Sequence, residues 1–239
     1  MVVDFKVWDT LLHQYVDQHG RVDYRAWKTE QPRTLKNWLG SLETIHLDPE
    51  LTRQDQLALW INLYNAFMTA TVLERYPIDS IRPIVWGMPN WLAFLWVFQR
   101  RAYRFADQQY SLSAIENKIL RGQLQEPRIH FAIVCASIGC PLLRPEAYRP
   151  ESVEQQLTDD ARRFINNPDQ VRYEASTGTL YCSKIFKWYR QDFCHAAGSV
   201  PEYIRTYLHL PLASEPTLTA STPIAYLDYD WSLNQRTSS

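Results

Sequence analysis

The sequence predicts an α+β fold, a single mixed domain with several helices packed on a mainly antiparallel sheet. Three observations predict it. Long stretches carry apolar residues at helical spacing, two other stretches read as β-hairpins, and helices and hairpins follow one another without strict strand–helix–strand alternation. The 239 residues fit one large domain, 1–239.

The first helix is expected over about Asp4–Gln18, where Phe5, Trp8, Leu11, Leu12, Tyr15 and Val16 are in phase and Gly20 is a natural stop. A second is expected from Pro32 to Ile45. The third is the most informative. Thr52 and Asp55 form a capping-box pattern, and LALWINLYNAFMTATVLERY follows, ending before Pro77. Its apolar residues surround the axis, which predicts a buried helix. Asn62, Asn65 and Thr69 share one face, so these buried polar groups must find partners in the fold or line a cleft.

Trp91–Phe98 is an apolar run that fits a buried strand, one side of a buried helix or an interfacial anchor. Arg101–Leu112 reads as a hairpin about Asp107–Gln109. Ser113 and Glu116 form a second capping-box pattern ahead of a short helix. Arg128–Val134 reads as an apolar strand that runs into a turn-rich stretch, Ala136–Pro141. Ser152–Asn166 reads as a helix, Val171–Ser183 as a hairpin, and Ile185–Cys194 and Val200–Leu208 as helices. IAYLDYDWSLN is expected to extend along the core.

Composition removes several function classes. Hydrophobic residues make up 46% and aromatics 13%, so a sizeable core forms. A net charge of −1 gives no drive toward nucleic acid or anionic membranes. The eight apolar residues of Trp91–Phe98 are too few for a bilayer span, which needs ~20. The acidic N-terminal stretch does not read as a secretory signal, so a cytoplasmic location with reduced thiols is expected. Only 7 Gly are present, and a phosphate-cradling loop is not expected. None of Cys135, Cys140, Cys182 and Cys194 forms a CxxC pair, and Cys194–His195 alone is a weak metal signal. No metal and no cofactor are expected. The partner is unknown; a protein, a small thiol or a peptide ligand fits the thiol content.

Five motifs carry a resemblance: LWINLYNAF (Leu59–Phe67), IENKILRG (Ile115–Gly122), PRIHFAIVCASIGCPLL (Pro127–Leu143), KIFKWYRQDF (Lys184–Phe193) and YDWSLN (Tyr229–Asn234). In this order they resemble the domain-of-unknown-function 547 family, with the resemblance running from about Trp8 to Asn234. The family often has His after the Glu of its IE motif, where this chain has Asn117. Some relatives carry a glutaredoxin-like domain, which implies thiol chemistry. Others carry a coiled coil, which implies scaffolding.

His130, Cys135 and Cys140 are the densest set of reactive side chains, two thiols and an imidazole within eleven residues. An imidazole can generate a thiolate, and Glu116, Asn62 or Asn65 can orient the imidazole, as in papain-like or transglutaminase-like enzymes. On a straight strand, however, His130 and Cys135 face opposite sides. The competing readings are a core cysteine at 135, a loop thiol at 140, a core histidine at 130 and a cap at 116. A bend at Ala136–Gly139 would return Cys140 toward His130. Arg128 is a candidate anion-binding residue whose usual role is an ion pair. The expected function is therefore a thiol-dependent enzyme or thiol-handling domain, with a non-catalytic binding or scaffold domain as the alternative.

Overall fold

The computed structural model describes residues 3–82, 84–85, 88–89, 91–100, 102–209 and 218–236. Its centre is α4 (Arg53–Arg75). The Thr52 hydroxyl accepts from the Asp55 N–H while the Asp55 carboxylate accepts from the Thr52 N–H, which satisfies orphan donors of the first turn. Leu57 to Thr69 are buried on every side of the helix. Beside it lie α1 (Lys6–Tyr15), α2 (Tyr24–Glu30) and α3 (Thr34–Ser41), with α2 and α3 in contact with α4 and α1 in contact with both. Trp8, Trp27 and Trp38 join these helices, with Trp8 stacked on Trp38 at 6.5 Å. Helix α2 is absent from the sequence expectation. It is a short element set by the Asp23 cap, whose side chain accepts from the Ala26 N–H.

The fold is α+β with little strand. β1 (Ile84–Val85) pairs with β2 (Met88–Pro89), and β3 (Tyr103–Phe105) with β4 (Gln108–Tyr110), both antiparallel. Ala106 and Asp107 turn the second ribbon at positive φ, one residue earlier than expected. The third sheet is mixed. β5 (Val171–Glu174) pairs antiparallel with β6 (Thr179–Cys182), and β6 pairs parallel with β7 (Ile224–Tyr226). Between the ribbons, Trp91–Gln99 forms α5, which leaves Leu92, Leu95 and Trp96 exposed. It is therefore a helix and not a buried strand, with Val97 on its buried side. Among the described residues no helix is long and apolar enough to cross a membrane.

Three further expectations are corrected. The short helix after β4 is capped by Ser111, not Ser113. It opens as α6 (Leu112–Ala114) and continues as a π-helix over Ile115–Gln123. Arg128–Val134 is not a strand. Pro127–Phe131 forms a 3-10 turn, because Pro127 fits a first helical position and the Glu126 side chain caps the Arg128 N–H. The helix expected over Ile185–Cys194 is two, α8 (Lys184–Trp188) and α9 (Arg190–Ala197), which meet at Tyr189. With α7 (Val153–Ile165), α10 (Val200–Tyr207) and the mixed sheet, these enclose a second apolar cluster around Phe131, Phe186 and Phe193. The 3-10 turn joins the two clusters: Ile129 belongs to the α4 core and Phe131 to the other.

Candidate functional site: a disulfide and a buried carboxylate in an aromatic cavity

Asn65 of α4 begins the site. Its amide N–H donates to the Ala132 carbonyl at 2.9 Å, and its amide oxygen accepts from the Val134 N–H at 2.9 Å. Asn62, one turn earlier, grips both backbone groups of Tyr148 in the same way, at 2.8 and 3.0 Å. Each asparagine side chain acts as a strand partner for an irregular segment, so these buried amides carry backbone that has no ladder of its own. Neither lines the cavity described below.

Past Val134 the chain turns back on itself. Ala136 adopts φ +64°, a conformation uncommon outside glycine. Cys135 and Cys140 are joined as a disulfide, with their Cα atoms 6.3 Å apart. The expectation of four reduced thiols is corrected here, since the bend brings one sulfur onto the other. Cys182 and Cys194 remain free. Burial pushes the Cys182 thiol up to about 12, so it is inert at neutral pH.

The C-terminal segment fastens this loop. Ile138 N–H donates to the Ser232 carbonyl and Gly139 N–H to the Asp230 carbonyl, both at 2.8 Å. A Cβ at Gly139 would lie 3.0 Å from Asp230 backbone atoms and from the Tyr229 ring, so a larger residue would push this close approach apart by a few tenths of an ångström. The result is a phenol over the disulfide. Tyr229 Oη is 3.1 Å from Cys140 Sγ, 3.3 Å from Cys135 Sγ and 3.0 Å from Ser137 Oγ. Burial raises the Tyr229 pKa, which keeps that hydroxyl protonated and able to donate. The Cys135 N–H also donates to Cys140 Sγ, at 3.1 Å. Cys140 is 6% exposed, while Cys135 is partly open.

Both cysteines line a cavity of about 370 Å³ together with His130, Glu116, Tyr64, Tyr189 and Tyr229. Trp188 and Trp231 complete its aromatic wall, and Leu95 and Phe98 of α5 its rim. A larger groove of about 740 Å³, between α2, α3, α4 and β3, holds no cysteine or histidine.

Glu116 is not a helix cap. It sits in the π-helix with 7% exposure, and its carboxylate accepts from the Tyr189 hydroxyl at 2.7 Å and the Tyr64 hydroxyl at 3.4 Å. Burial first, and then the negative charge of Glu116, push both phenols up, so they stay donors. His130 stacks on Tyr189 with ring centroids 3.7 Å apart. Its Nε2 meets Asp192 Oδ2 at 2.7 Å, so with a neutral ring Nε2–H donates and Nδ1 is an acceptor. Nδ1 is buried without a hydrogen-bond partner among the described residues. Burial lowers the His130 pKa despite the opposing pull of Asp192, leaving a neutral imidazole at pH 7. Burial alone would raise Asp192, but Arg121 grips both of its oxygens, at 2.6 and 2.8 Å, and holds it well below the usual carboxylate range. Because His130 is neutral, the Arg121 pair is the dominant cause.

The orienting partner of His130 is thus Asp192, not Glu116 or an asparagine, and no hydrogen bond joins His130 to either sulfur. Arg128 is far from a free anion site. It forms a bidentate pair with Glu126 at 2.7 Å and also binds Glu154 and Thr158.

Residues 49–165 match the family model described as "Protein of unknown function, DUF547". This part of the chain, just under half of it, matches the DUF547 family. The matched part holds α4, Glu116, His130 and the disulfide, while Asp192, Tyr229 and Trp231 lie beyond its end. No curated protein and no solved structure matches the chain. Asp192 and Tyr229 are the site residues that sequence reasoning missed. Both lie inside quoted motifs, KIFKWYRQDF and YDWSLN, but neither spacing nor periodicity connects them to residues 60 to 95 positions away.

Proposed function

We propose that this protein handles thiols, exchanging the Cys135–Cys140 disulfide with thiol ligands that enter the aromatic cavity. The observation that carries this reading is a cysteine pair, bonded as a disulfide, on the wall of a cavity and surrounded by hydrogen-bond donors. In the first step a ligand thiolate attacks Sγ of Cys135, the more open sulfur. A new S–S bond forms, the old one breaks, and its electron pair passes to Cys140 Sγ. The Cys135 N–H and the Tyr229 O–H are already placed to stabilise that leaving thiolate. A leaving thiol of lower pKa leaves faster. A second ligand thiolate then attacks the ligand sulfur of the mixed disulfide, releasing an oxidised ligand and the reduced Cys135. Two thiolates are oxidised to one disulfide, and the protein pair is reduced to two thiolates. Low-molecular-weight thiol is both nucleophile and reductant.

This reading replaces His130 as a base with a donor set around the leaving sulfur. The test uses single variants with a small disulfide reagent and intact mass. Cys140→Ser leaves Cys135 free and should trap a mixed disulfide at least about tenfold faster than Cys135→Ser, whose remaining sulfur is buried. Equal and slow trapping in both variants, at the rate of Cys182, contradicts the reading and favours a binding domain.

A further inference from the structure

The cavity is unbalanced in charge. Glu116 lies in its wall 93% buried, and among the described residues no Lys or Arg pairs with it; two phenol hydroxyls are its partners. Two basic groups interact with Glu116 through space. Arg121 is bound to Asp192, and burial keeps His130 neutral. A carboxylate can accept about four hydrogen bonds, and Glu116 receives two from the protein. Arg121 acts on Glu116 only through space, so a cation in the cavity would be the first to pair with this carboxyl directly. The rest of the wall suits the same occupant. Trp188, Tyr229 and Trp231 form an aromatic cluster with centroids 4.5 to 5.9 Å apart, and the Arg82 guanidinium already lies 4.8 Å from the Trp231 ring. Aromatic faces attract cationic nitrogen. His130 also lines the cavity, and its buried Nδ1 has no hydrogen-bond partner among the described residues.

We infer that the cavity binds a ligand through a primary ammonium group, seated against Glu116 between aromatic rings. This deepens the thiol-exchange reading, on which it rests only for the further statement that the favoured thiol ligand is an aminothiol. An ammonium offers three donors for Glu116 and a charge for the rings, whereas an alcohol or carboxylate offers neither combination.

The experiment compares benzylammonium with benzyl alcohol, which share a shape and differ in charge, by tryptophan fluorescence of the full chain. Benzylammonium should bind at least about tenfold more tightly. Glu116→Gln should remove most of that preference, and Trp188→Leu, at a half-exposed position, should weaken benzylammonium more than benzyl alcohol. The Cys135→Ser/Cys140→Ser double variant should keep the preference, since the ammonium seat does not need the disulfide. Equal affinities on the unaltered chain overturn the inference, whether or not Glu116→Gln folds. A second arm measures reduction of the Cys135–Cys140 bond by 2-aminoethanethiol and 2-mercaptoethanol at equal thiolate concentration. Faster reaction of the aminothiol, lost in Glu116→Gln, supports the inference. Ammonium preference without any reduction leaves the seat standing and removes the exchange reading.

Discussion

Tyr229 shows how one residue can set the chemistry of another 89 positions away. Its hydroxyl lies on both sulfurs, and when the pair is reduced it can donate to the Cys140 thiolate. Tyr229→Phe should therefore raise the alkylation midpoint of reduced Cys140 by about one pH unit, the loss of one charge-assisted hydrogen bond. Mass-resolved alkylation across pH checks this, and an unchanged midpoint contradicts it. His130 makes a different prediction. Its folded pKa is lowered by burial, so the unfolded chain binds a proton that the folded chain refuses as pH falls below about 6.5. Stability from this group is full above that pH and is lost on acidification through the window down to the lowered folded value. Asp192 adds a second loss at lower pH, because its folded pKa is also depressed and protonation there breaks the Arg121 pair. Denaturant melts at pH 7.5 and pH 5.5 should show the first loss in the parent and a smaller one in His130→Gln. The packing of Tyr229 on the core was legible in the sequence, but its place over the disulfide and the pairing of Asp192 with His130 were not, because both depend on contacts across the whole fold.

Helix α4 was the most legible element. Its cap, its all-round apolar surface and its stop before Pro77 are local signals, and all three are realised. The demand that Asn62 and Asn65 find partners was also legible, since unpaired buried amides are unfavourable. Which backbone they would grip was not. Asn65→Leu should destabilise the protein by about 2–3 kcal/mol, because the Ala132 carbonyl and Val134 N–H lose their partner. Chemical denaturation measures this, and a change under about 0.5 kcal/mol refutes the clamp role. The misread element was Arg128–Val134. Its apolar residues report burial correctly, but a short apolar run does not separate strand from turn. Pro127 and the Glu126 cap decided the local conformation. Loss of the strand also removed the parity argument that set His130 and Cys135 on opposite faces.

The whole molecule is closed by its C-terminal segment, an outcome the Tyr and Trp content of that stretch predicted. Leu233 is 2% exposed, and the Leu233 N–H donates to the Asp79 carbonyl at 2.8 Å. Asn234 accepts from the Tyr24 hydroxyl at 2.8 Å; beside it the Val22 N–H donates to the Asn234 carbonyl at 3.0 Å and the Arg236 N–H to the Val22 carbonyl at 2.8 Å. The last segment thus ties the first helices to the disulfide loop. A chain ending at Thr222 should melt at least about 10 °C lower or be insoluble, since it loses β7, the loop anchors and Tyr229 together. An unchanged melting temperature would show that the segment is a passive tail.

The most direct test of the central claim is a redox titration of the full chain in thiol–disulfide buffers, quenched by alkylation and read by peptide mass. The account predicts that Cys135 and Cys140 change together in one two-electron transition, while Cys182 resists labelling throughout until unfolding. Two independently labelled thiols at positions 135 and 140 under every buffer would contradict it.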